Sequence, residues 1–176
     1  MVTGLDTGYV QIYTGDGKGK TTAALGLALR AAGAGLRVFF AQFLKGRDCS
    51  EIKALQHFSD LITVRQYGAE GFIHEKPTST DITAAQAGLH EAARVMAAGE
   101  YGLVILDEAA VAVDYELFQV EALLAAIRHR ARYVEVVITG RRAPQALLDA
   151  ADLVTEMREI KHYYHAGVSA RTGIEK

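Results

Sequence analysis

The stretch from Tyr9 to Gly26, YVQIYTGDGKGKTTAALG, sets an apolar run directly before glycines at 15, 17 and 19, then turns through Lys-Thr-Thr into an alanine-rich segment. A strand that ends in closely spaced glycines and becomes a helix at once leaves few architectures open. A buried parallel strand needs helical crossovers on the sheet faces. The rest of the chain repeats the alternation. RVFFAQF, LITVRQ, LVILDE, VEVVIT and LVTEM are short apolar runs that predict strands buried on both faces, with helical patterns between them. In TDITAAQAGLHEAARVMAAG the residues Ile82, Ala85, Leu89, Ala93 and Met96 keep three-to-four spacing, with Thr80 expected to cap the helix and Gly99 to end it. The expected fold is α/β, a mostly parallel sheet with helices on both faces, right-handed crossovers and a ligand site at the carboxyl ends of the strands. Gly68 to Thr80, carrying GAEGFIHEKPTST, predicts an irregular loop of a length that is often functional.

Composition narrows the classes of function. The chain has 176 residues, half of them apolar, and only two prolines, Pro77 and Pro144, which predicts a single domain over 1–176. A net charge of -2 offers no broad basic face for nucleic acid and no polybasic membrane patch, so phosphate recognition has to be local. No apolar run is long enough to span a bilayer, and the single Cys49 cannot form an internal disulfide. The opening MVTGLDTGYV has neither a basic n-region nor an apolar h-region, so the expected location is the cytoplasm.

The glycine stretch departs from a strict Walker A motif. Counting back from Gly19-Lys20-Thr21 puts Thr14 where the first glycine should stand, so a loop starting at Gly15 is one residue short. The phosphate chemistry survives the shortening. Glycines let backbone amides approach an anion, a helix starting near Lys20 aims its positive end at it, Lys20 adds a charge and Thr21 a hydroxyl for Mg²⁺. A plain glycine-rich turn would leave the preceding strand and the Lys-Thr-Thr unexplained. A dinucleotide fingerprint fits worse, wanting glycine at Lys20 and an acid where Gln42 stands. The strand YGLVILDE ends in Asp107 and Glu108, carboxylates able to hold Mg²⁺ directly or through water. Together the two motifs predict MgATP or a similar nucleotide without naming a reaction.

TGDGKGKTTAALG, LVILDE and the C-terminal ITGRRAPQALLDAADLVTEMREIKHYYHAGVSARTGIE resemble the P-loop family of ATP:corrinoid adenosyltransferases, over nearly the whole chain from Tyr9 to about Glu175. The resemblance implies a RecA-like P-loop fold, a homodimer and ATP bound in the reverse of the usual direction, its triphosphate in the short loop as a whole leaving group. It implies attack by the cobalt(I) of a reduced corrinoid on the ribose 5′ carbon, with an electron-donating reductase supplying the reduced substrate. ATP would be held by Gly15, Asp16, Gly17, Lys18, Gly19, Lys20, Thr21, Thr22 and Arg141. Lys20, Thr21 and Glu108 would be catalytic, with Thr21, Glu108 and Asp107 as the Mg²⁺ set. GFIHE aligns with a segment that sets an aromatic beneath the corrin ring. Phe72 keeps the aromatic, while His74 stands where better-known members have tryptophan.

Other residues point elsewhere. His162 and His165 lack an acidic partner at ligand spacing and are expected in the tail or pocket rather than on a metal. Arg141 and Arg142 follow VEVVITG, where a guanidinium can turn to phosphate or form a surface ion pair. Two rival functions stay open at this level. One is a RecA-like ATPase or kinase with Glu108 activating water, and the other a nucleotide-gated corrinoid-binding module.

Overall fold

The computed structural model describes residues 5–46, 49–68 and 77–175. All six predicted strands form: β1 (Val10–Thr14), β2 (Val38–Phe43), β3 (Ile62–Tyr67), β4 (Leu103–Asp107), β5 (Glu135–Thr139) and β6 (Leu153–Glu156). They pair in parallel in one sheet of order β3-β2-β4-β5-β1-β6. The helices are α1 (Lys20–Gly33), α2 (Ser50–Leu55), α3 (Ser79–Ala98), α4 (Ala109–Asp114), α5 (Val120–Arg128) and α6 (Gln145–Asp149). Among the described residues no helix is long and apolar enough to cross a membrane.

Side chains alternate across the sheet. Val38, Phe40, Ile62, Leu103, Ile105 and Val137 face α1 and α2, where Ala24, Ala28, Ala31 and Ala32 let α1 lie close against the sheet. The opposite face, with Phe39, Ala41, Phe43, Val104, Leu106, Val136 and Ile138, packs on α3, α4 and α5. Phe39 and Phe40 are essentially without exposure, and each such burial is worth roughly 1.5–3 kcal/mol.

The structure corrects two expectations. Burial on both faces holds for β2 and β4 and nearly for β5, but β1 and the edge strand β3 are only partly buried, and β6, the other edge strand, is exposed throughout. The cap of α3 is Thr78, not Thr80. Thr78 Oγ1 accepts from the Asp81 amide at 3.3 Å while Asp81 Oδ2 accepts from the Thr78 amide at 2.9 Å, a reciprocal box that draws Thr80 into the first turn. Gly99 ends the helix as expected, with φ 65°.

At the carboxyl edge the face toward α1 turns polar. Gln42 is in register with Gln66 on one side and Asp107 on the other, and Thr139 follows the Leu106–Ile138 pair. This row of polar side chains is the floor of the candidate site.

Candidate active site

The short glycine loop owes its shape to close backbone approach. Gly15 and Gly19 hold φ 93° and 124°, which side chains rarely tolerate. A Cβ on Gly15 would lie 2.5 Å from the carbonyl oxygen of Met157, and one on Gly17 would lie 2.7 Å from the same atom. The Gly17 amide donates to that carbonyl at 2.6 Å. Among the loop amides expected to approach an anion, this one is taken by the chain leaving β6.

Lys20 is 8% exposed and donates from Nζ to the carbonyls of Gly15 at 2.6 Å and Gly17 at 2.8 Å. The lysine therefore braces the loop from within. Burial lowers its pKa, and the nearby Arg141 lowers it further, against the pull of Glu108, Asp16 and Asp107. No side chain caps α1, so the positive end of the helix opens onto the cleft through Lys20, Thr21 and Thr22.

Asp107 and Glu108 are neighbours with different tasks. Asp107 is fully buried, its Oδ1 accepting from Thr21 Oγ1 at 2.9 Å and Thr139 Oγ1 at 2.7 Å, its Oδ2 from Gln42 Nε2 at 3.0 Å. Gln42 is itself fixed by a bond from Gln66 Nε2 at 2.9 Å. At Glu108 the chain turns left-handed, φ 61°, and its amide donates to Thr139 Oγ1 at 2.9 Å. The turn sends the Glu108 carboxylate into the cleft. Burial, then the adjacent Asp107, raise its pKa, while Lys45, Lys20 and Arg141 act to lower it.

The donor set suits a hard divalent cation. Thr21 spends its proton on Asp107 and so keeps its lone pairs for the cleft, beside the Glu108 carboxylate. Among the described residues no group of three or more His, Cys, Asp or Glu is arranged for a metal, so a cation here would need substrate or water oxygens to complete its shell.

The cleft has a volume of about 590 Å³ and gathers Gly17, Lys18, Gly19, Lys20, Thr21, Thr22, Glu108 and Arg141 as expected. Lys18 is also tied to the tail, donating to the Ile174 carbonyl at 2.9 Å. Gly15 and exposed Asp16 line a neighbouring hollow with Thr14, Arg142 and Glu156. Arg142 turns away to pair with Asp114 at 3.2 Å. His162 lines the cleft, while His165 bonds Glu159 at 2.7 Å. Phe72 and His74 lie outside the described residues. Sequence reasoning missed Lys45 and the tail residues Gly173, Ile174 and Glu175, all in the cleft wall. A lone lysine after a strand carries no spacing signal, and the tail reaches the loop only through tertiary folding. The polar row was legible, since Gln42 and Gln66 break the apolar period of their strands.

The family model described as "ATP:corrinoid adenosyltransferase BtuR/CobO/CobP" matches residues 6–175. A corrinoid adenosyltransferase of Pseudomonas aeruginosa is 36% identical over 172 residues, 97% of this chain and 84% of the relative. One from Salmonella typhimurium is 36% identical over 177 residues, covering 97% of this chain and 86% of its own. In fold, the chain is similar to the flagellar accessory protein FlaH from Methanocaldococcus jannaschii, with a TM-score of 0.63 at 13% identity over 86% of this chain and 72% of that one.

Proposed function

Because the chain belongs to the ATP:corrinoid adenosyltransferase family, we propose that its cleft moves the 5′-deoxyadenosyl group of ATP onto the cobalt(I) of a reduced corrinoid and releases inorganic triphosphate, in adenosylcobalamin synthesis or salvage. One observation carries the reading at the level of residues. A buried lysine and a threonine hydroxyl at the start of α1 share one cleft with a carboxylate turned in from the end of β4.

The bond that forms joins cobalt to the ribose 5′ carbon, and the bond that breaks joins that carbon to its phosphate oxygen. The electron pair of the broken bond leaves with triphosphate, while cobalt gives up the pair that makes the new bond. Negative charge gathers on the leaving group, so the protein has to supply fixed positive potential. Lys20 can exchange its bonds to the Gly15 and Gly17 carbonyls for phosphate oxygens without moving its backbone. Arg141 adds a second cation from the end of β5, and the first turn of α1 adds its amides. Thr21 and Glu108 would hold Mg²⁺, and Asp107 would orient Thr21 rather than bind the ion, its oxygens being taken. When bound, the ion neutralises phosphate charge and makes triphosphate a better leaving group. On the family pattern, Phe72 would keep water and the lower ligand from cobalt.

The reading takes the chain to work in the cytoplasm as a homodimer served by an electron-donating reductase. The exposed edge strand β6, with Leu153 44% and Val154 46% exposed, is a surface that a second copy could cover. Incubation with ATP, Mg²⁺ and chemically reduced cobalamin tests the reaction. Formation of the alkylcobalamin absorption spectrum with an equal amount of triphosphate is expected. ADP and phosphate instead would sink this reading in favour of a RecA-like hydrolase, and saturable ATP binding without turnover would leave a binding module.

A further inference from the structure

Lys45 follows β2, and in the sheet order two strands, β4 and β5, separate it from the loop after β1. Its side chain nevertheless lines the same cleft as Lys20 and Arg141. The backbone that delivers it is unusual. Leu44 has φ 62°, a left-handed conformation that a branched side chain adopts at a cost of about 1–2 kcal/mol. Two contacts with the end of β3 hold it there. The Leu44 amide donates to the Tyr67 carbonyl at 3.0 Å, and Gly68 sits so close that a Cβ would fall 2.5 Å from the Lys45 amide nitrogen. The strand exit is thus bent and clamped, and the bend carries Lys45 to the cleft rather than onward along the sheet. Among the described residues the Lys45 ammonium makes no hydrogen bond or close ion pair, and it acts electrostatically on Glu108, one of three carboxylates in the cleft lining with Glu51 and Glu175.

We propose that Lys45 is a phosphate-binding residue of this cleft, gripping the triphosphate from the β2 side while Lys20 and the loop hold it from the β1 side. The assignment rests on the adenosyl-transfer reading given above and adds a contact to it. Three cations from three separate strand ends, Lys20, Lys45 and Arg141, would surround a group that carries several negative charges as it leaves. A strained turn clamped in place is the expected way to present one of them without reorganisation when charge develops.

Inorganic triphosphate, without metal or corrinoid, is the probe, and calorimetric titration the readout. Lys45→Met is expected to weaken triphosphate binding about tenfold or more, the scale of one lost charge-assisted contact. Lys45→Arg should recover to within about threefold, since it restores the charge. Lys161→Met, an exposed lysine outside the cleft, should change nothing. Loss of affinity in Lys20→Met together with parent-like affinity in Lys45→Met would overturn the assignment and leave the adenosyl-transfer reading intact. A parent protein with no measurable triphosphate affinity would likewise overturn the assignment, whereas the adenosyl-transfer reading stands or falls on the products of the cobalamin incubation described above. Unchanged thermal melting of Lys45→Met separates a lost contact from a lost fold.

Discussion

Thr21 and Asp107, 86 residues apart in sequence, meet at 2.9 Å, and the direction of that hydrogen bond decides how each serves the site. The threonine hydroxyl donates to the carboxylate oxygen, so its lone pairs turn outward. Asp107 is thereby a buried orienting group, and Glu108, one residue later, is the carboxylate that faces the cleft.

Thr139 joins these two acids, giving its proton to Asp107 and taking one from the Glu108 amide. Thr139→Val keeps the shape but leaves a buried amide unpaired and Asp107 short of a donor. A stability loss of about 1–3 kcal/mol is expected in denaturant unfolding, with a higher Mg²⁺ requirement for turnover. Unchanged values for both would show that Thr139 orients neither acid.

Lys20→Ala should cut turnover by about 100-fold or more, the scale of losing one preorganised charge at a leaving group. Stability should shift by only about 1 kcal/mol or less, because relief from burying the ammonium offsets the loss of two bonds to loop carbonyls. Activity within a few-fold of the parent, in a variant with a parent-like melt, would remove Lys20 from the mechanism.

Glu108 has its pKa raised by burial and by Asp107, so folding is penalised once the carboxyl ionises. The contribution is present below the unfolded value and lost as pH rises through the folded one. Glu108→Gln should therefore raise the melting temperature of the ligand-free protein at pH 7–8, with the gain fading toward pH 4, while weakening Mg²⁺-dependent turnover. Parallel melting curves at both pH values would contradict the assignment of strain to this carboxylate.

Glu175 is held at about 2 by hydrogen bonds from Arg171 and Tyr163, with Arg171 contributing its guanidinium and its amide. Its contribution to the internal fold of the tail is present above the ordinary carboxylate value and lost as pH falls toward about 2. In Arg171→Ala the carboxyl carbon of Glu175, followed by NMR, should titrate much nearer the ordinary 4.5. An unchanged midpoint would mean that Arg171 does not hold the Glu175 carboxylate.

Phe72→Ala should slow adenosylation from cobalt(II) corrinoid far more than from pre-reduced cobalt(I). An aromatic at the lower face makes cobalt(II) four-coordinate and easier to reduce, and cobalt(I) has no further need of it. His74→Trp should be tolerated. Paramagnetic resonance of the cobalt(II) corrinoid with protein and ATP checks both, and a nitrogen-ligated signal that disappears in His74→Ala would overturn this account of the segment.

Local chemistry alone determined much of this protein. Apolar runs of strand length between helical patterns determined six parallel strands, and Gly17 to Thr22 with Glu108 marked the cleft, because side-chain period, glycine tolerance and motif spacing act over a few residues. The Thr78–Asp81 box was written at the same short range and shows that even a local cap can be misplaced by two residues. Tertiary structure decided how the tasks are divided. The Gly17 amide belongs to Met157, Lys18 reaches Ile174 across 156 positions, and Lys45 enters the cleft because β3 clamps the exit of β2. The two adjacent acids differ because one ends in a buried polar row and the other begins a left-handed turn. Neither environment exists until four strands stand side by side, and no periodicity within one strand encodes its neighbours.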